Sequence, residues 1–154
     1  MKIPSIAIII ASSLDGRIAF PNGGESHIAS NKEKKILDEN LSNVDATIFG
    51  LGTLKAHQST YLVKVHYENG AIKISKNQPI SIVASNSKKF CKDWCYFKQP
   101  VKRWLISSDK NKKLENIDFE KEIYYKNTWR ETLLSIKKSG INRLALLGLS
   151  LIHI

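Results

Sequence analysis

The feature that most constrains this chain is a series of short apolar runs that alternate with helix-capping signatures. Pro4 to Ala11 is β-branched and apolar, as a strand buried on both faces would be. Ala46–Phe49, Ile80–Ala84, Trp104–Ser107, Ile123–Tyr125 and Leu144–Leu147 are further short runs of strand composition. Between them, Ser30-Asn31-Lys32-Glu33 and Thr128-Trp129-Arg130-Glu131 each have the spacing of a capping box. The first predicts a helix to about Asn43 with Ile36, Leu37 and Leu41 turned inward. The second opens a helix that buries Leu133, Leu134 and Ile136 and stops at Gly140. Strands alternating with capped helices define an α/β domain with a largely parallel central sheet flanked by helices.

Composition narrows the class further. The 154 residues suit one domain, and 24 Lys and Arg against 14 Asp and Glu leave a formal charge of +10. The run from Ile6 to Ala11 is far shorter than the roughly 20 residues that cross a bilayer. Pro4 within the start, and Asp15 and Arg17 soon after it, argue against a secretory leader, so a cytoplasmic protein without a membrane partner is expected. Cys91 and Cys95, spaced C-x3-C, lack a second pair with zinc-site spacing and read as plain thiols beside aromatic residues, with no metal expected. The basic excess, mostly lysine, favours anionic ligands. No nucleic-acid-binding motif accompanies it, and no nucleic-acid partner is expected.

In open α/β sheets ligands sit beyond the carboxyl ends of the strands. The residues there are Ala11, Ser12, Ser13 and Asp15 after the first run, and Gly50, Gly52 and Thr53 after the second. Ser85, Asn86 and Ser87 follow Ile80–Ala84, and Gly148 follows the last run. Gly50-x-Gly52-Thr53 could bring backbone amides against a phosphate, or form a plain tight turn; its spacing is too short for a P-loop or a dinucleotide fingerprint. Ser85-Asn86-Ser87 reads either as a polar loop or as a hydroxyl-rich grip on a ribose phosphate.

Two motifs are more specific: S-L-D-G-R-I-A over Ser13–Ala19 and D-A-x-x-x-G-x-G-T over Asp45–Thr53. With Glu25–Ser30, Gln78–Val83 and Gly140–Gly148 in the same order, the chain resembles the RibD C-terminal family from Ile6 to Gly148. That family is the reductase domain of riboflavin biosynthesis, with a dihydrofolate-reductase-like fold. The resemblance implies an NADPH-dependent reductase like 5-amino-6-(5-phosphoribosylamino)uracil reductase, with hydride transfer to the ribosyl C1. It implies cofactor contacts at Ala11, Gly50, Gly52, Thr53, Ser85 and Asn86. Asp15 reads either as part of the site or as a turn residue. The implied partner is a phosphorylated ribosylamino-pyrimidine or a related small molecule, and a homodimer is left open.

The chain departs from the family pattern where substrate would be held. Leu41 and Lys64 stand where the family places arginines, His27 where it places tryptophan, and Leu147 where it places a glutamate. Ala56-His57-Gln58-Ser59 stands where the family places an acidic residue near a proline. Glu25, His57 and Lys64 are therefore the candidates for a rebuilt substrate face, and no catalytic residue is assigned. The alternative is a catalytically silent nucleotide-binding module of the same fold. Residues 1–148 are taken as the reductase domain, with its C-terminal part missing. Leu149–Ile154 is read as a non-native tail, because the hexapeptide matches the translation of a sequencing-library adaptor.

Overall fold

A computed structural model describes residues 2–10, 14–16, 30–87, 89–108, 118–125 and 127–147. The expectations for Ala11, Glu25, His27 and Leu149–Ile154 fall outside these residues. Among these residues six strands form one sheet: β1 (Ser5–Ile9), β2 (Ala46–Gly50), β5 (Ile80–Ala84), β6 (Arg103–Ser107), β7 (Lys121–Tyr124) and β8 (Arg143–Leu147). Their spatial order is β1-β8-β2-β5-β6-β7, and every pairing is parallel. A separate antiparallel hairpin joins β3 (Lys64–His66) to β4 (Ile72–Ile74).

Among the described residues the helices are α1 (Asn31–Leu41), α2 (Leu51–His57) and α3 (Trp129–Lys138). Both sequence-read caps start helices where expected. Ser30 Oγ accepts the Glu33 amide at 3.1 Å, and the Glu33 carboxylate accepts the Ser30 amide in return. Thr128 Oγ1 accepts the amide of Glu131. In α1 the buried residues are Leu41 and Asp38, whereas Ile36, expected to face inward, is half exposed.

The inner strands of the sheet are covered on both faces. Ile48, Ile82, Ile106 and Leu144 pack with Ile136 of α3 on one face. On the other, Phe49, Val83 and Leu105 meet Leu54 of α2 and Tyr96 of a 3-10 turn at Cys95–Lys98, and Ala145 meets Leu41 and Val63. β2 is buried along its whole length and β5 from Ser81 onwards, as parallel strands between two layers must be.

β1 departs from its expectation. It lies at the edge of the sheet beside β8, and Ile8 is 64% exposed. The register Ile6↔Leu144 and Ile8↔Leu146 puts both isoleucines on the face that α3 covers farther along the sheet. The run is apolar enough to be buried, but among the described residues no helix reaches it on that face.

Asp45, the first residue of the D-A-x-x-x-G-x-G-T motif, has a structural task. Its Oδ2 accepts the amides of Asn142 and Arg143 at 2.7 and 2.9 Å, tying the start of β8 to the start of β2. Both strands then deliver their carboxyl ends to one place.

Candidate active site

β2 ends at Gly50, which is the N-cap of α2 and supplies no side-chain cap to the helix. The G-x-G-T segment is therefore not a loop: Gly52 and Thr53 sit in the first turn of α2. The amides there have no intrahelical acceptors, and a helix start of this kind favours an anion.

Beside it opens a cavity of about 640 Å³, lined by Phe49 and Leu147 at the strand ends and by Thr53 and His57 of α2. Lys64 and Ile74 of the hairpin and the segment Ser59–Leu62 complete most of its wall. The structure thus brings together three residues singled out from sequence: Thr53, His57 and Lys64. Among the described lining residues Lys64 carries the one ammonium group.

Ser85 and Asn86 lie at the end of β5, outside this lining. Ser85 Oγ donates to the Ser87 carbonyl at 2.7 Å and accepts the Ser87 amide, and Asn86 Oδ1 accepts from Ser108 Oγ at 2.6 Å. Both side chains are engaged in fixing their own loops. Asp15 and Gly16 form a turn in which Gly16 adopts φ +78°, the left-handed conformation that favours glycine.

The wall segment is held by side chains that sequence reading missed. Gln99 brackets Thr60, accepting its amide and donating to its carbonyl, each at 2.8 Å. Gln78 does the same for Val63 at 2.9 Å. Asp38 accepts the Lys64 amide at 2.8 Å, and its other oxygen is 2.8 Å from His66 Nε2. Burial first, and then the Asp38 carboxylate, push the Tyr61 phenol up to about 12. The Gln78-Pro79 and Gln99-Pro100 pairs mark where chain direction changes, but nothing local in sequence links either glutamine to residues 15 or 39 positions away.

A doubly covered parallel sheet with a cavity at its carboxyl ends defines the α/β class whose ligands bind at strand tips. Residues 4–152 match the RibD C-terminal domain, and the chain belongs to that family. Its fold is similar to that of Acinetobacter baumannii RibD (TM-score 0.73, 17% identity, 97% of this chain and 41% of that one). It is also similar to the Saccharomyces cerevisiae riboflavin biosynthesis reductase Rib7 (TM-score 0.66, 15% identity, 97% of this chain and 65% of that one). A pyrimidine reductase-like protein from Corynebacterium diphtheriae matches with TM-score 0.70 at 14% identity, over 94% of this chain and 65% of that one. The chain therefore spans less than two thirds of the length of each of these proteins. No curated protein matches the sequence.

Proposed function

We propose that this protein is an NADPH-dependent reductase of a phosphorylated ribosylamino-pyrimidine, of the type of 5-amino-6-(5-phosphoribosylamino)uracil reductase. The supporting observation is the junction of the uncapped α2 start with the cavity at the tips of β2 and β8. The donor set there suits a phosphorylated cofactor: backbone amides at Gly50, Gly52 and Thr53, and the Thr53 hydroxyl on the cavity wall. The main chain at Ser85 and Asn86, whose side chains are held by Ser87 and Ser108, and Ala11 complete the proposed cofactor contacts. When bound, NADPH supplies the hydride that reduces the ribosyl C1.

On the substrate side, Lys64 offers a charge-assisted grip for a phosphate, and His57, at the end of α2, offers hydrogen bonds to the sugar or base. Glu25 is the third proposed substrate contact. Phe49, Leu62 and Leu147 supply apolar surface that excludes water around the reacting carbon. Among the described residues no helix is long and apolar enough to cross a membrane. A cytoplasmic setting is proposed with the cofactor.

One observation favours a second reading, the silent nucleotide-binding module. Leu41, where the family places an arginine, is 1% exposed and packed on Val63 and Ala145, so it can grip no substrate. Leu147 lines the cavity where the family places a carboxylate. NADPH oxidation with the ribosylamino-pyrimidine phosphate separates the two. Substrate-dependent oxidation is expected for the reductase, and NADPH binding without oxidation would leave only the silent module.

A further inference from the structure

Asp38 is 2% exposed, yet its oxygens bond two residues of one segment lying across from α1 and its charge acts on a third. Oδ1 accepts the Lys64 amide, Oδ2 meets His66 Nε2, and the carboxylate lies near enough to Tyr61 to raise its pKa. After burial itself, the negative carboxylate disfavours the phenolate of the buried Tyr61 hydroxyl. A carboxylate is costly to bury unless its oxygens are bonded. Here the bonds converge on the segment that carries the cavity wall.

Two of these neighbours, Tyr61 and Lys64, line the cavity, whereas Asp38 does not. The preceding residues of the segment have other holders, Gln99 at Thr60 and Gln78 at Val63. The Lys64 amide is taken by Asp38 and not by β4. We propose that Asp38 is a positioning residue for substrate binding: from beneath β3 it fixes the Lys64 backbone and so sets the Lys64 ammonium in the cavity to meet an anionic group. That the anion is the phosphate of a ribosylated substrate rests on the reductase reading. His66, bonded to the second oxygen, holds the carboxylate in the orientation that serves Lys64.

Binding of ribose 5-phosphate, followed by calorimetry, tests this beside steady-state kinetics with NADPH and the ribosylamino-pyrimidine phosphate. Lys64→Ala and Asp38→Ala are each expected to weaken ribose 5-phosphate binding about tenfold and to raise the substrate KM to match, with kcat and the NADPH KM near wild type. The double variant should bind no more weakly than Lys64→Ala, because Asp38 acts through Lys64. Asp38→Asn keeps an oxygen for the Lys64 amide and should recover most of the binding.

Should Asp38→Ala fail to fold, Asp38→Glu replaces it. A longer carboxylate displaces the Lys64 amide, so binding should fall in the native background and stay unchanged in the Lys64→Ala background. Additive losses, or a fall in kcat at constant KM, would overturn the proposal. Ribose 5-phosphate held through Lys64 without NADPH oxidation would sink the reductase reading and leave the role of Asp38 standing. Native KM values in the Asp38 variants would do the reverse.

Discussion

Tyr96 shows how much a single side chain does beneath the site. It is fully buried, its hydroxyl lies 3.1 Å from Ser81 Oγ, and its ring packs edge-on against Phe49, which lines the cavity. Burial pushes its pKa up to about 12, with Ser81 and Arg103 pulling the other way. A folded-state pKa above the unfolded one means that the native protein holds its proton more tightly. Stability is therefore intact below about pH 10 and falls as pH rises towards about 12. Tyr61 adds to the loss in the same direction. Tyr96→Phe should cost about 1 kcal/mol at neutral pH through the lost hydrogen bond. It should also flatten the decline in urea midpoint between about pH 10 and about pH 12. An unchanged alkaline slope would remove Tyr96 from that role. Individual residues were the least legible part of the sequence. Thr53, His57 and Lys64 could be nominated from motifs and family pattern, but the work of Asp38 appears only when α1 packs on β3, more than twenty positions along the chain. Ser85 and Asn86 look like ligands in sequence and are engaged with Ser87 and Ser108 in the fold.

Elements were read more fully, because their signals are local. The Ser30 capping box placed the start of α1 to the residue. Ser30→Ala should lower stability by about 1 kcal/mol, seen as a shift in urea midpoint at unchanged slope. The β3–β4 hairpin went unread although its signal was present. Asn69-Gly70 stands between two short runs, a common hairpin turn, and Gly70 adopts φ +80°. Gly70→Ala forces an L side chain into that conformation and should destabilise the hairpin by about 1 kcal/mol. Because Lys64 and Ile74 lie on this hairpin, its substrate KM should rise as well. A KM equal to wild type would dissociate the hairpin from the cavity. Its three-residue strands are too short for the period-two pattern to stand out, which explains the omission.

For the whole molecule, alternating strands and helices dictated a parallel sheet, and the sheet is parallel throughout. What alternation does not encode is strand order. An apolar run in such a fold can be central or marginal, and β1 is marginal among the described residues, with Ile6, Ile8 and Ile10 exposed together. An exposed apolar strip on an edge strand promotes self-association. Ile8→Lys should lower light scattering at equal protein concentration, and scattering that does not change would show that the strip is not sticky. The charge of +10 acts over the same scale and favours anionic ligands.

Calorimetric titration of NADPH into the native protein and into Gly52→Asp tests most directly whether the strand tips hold the cofactor. Gly52 is exposed in the first turn of α2, where a carboxylate favours the helix yet repels a phosphate. Binding by the native protein, and its loss in a Gly52→Asp variant that unfolds no earlier, is the expected result. Equal NADPH affinity in the two proteins, or no heat in either, would contradict a cofactor cradled at the start of α2.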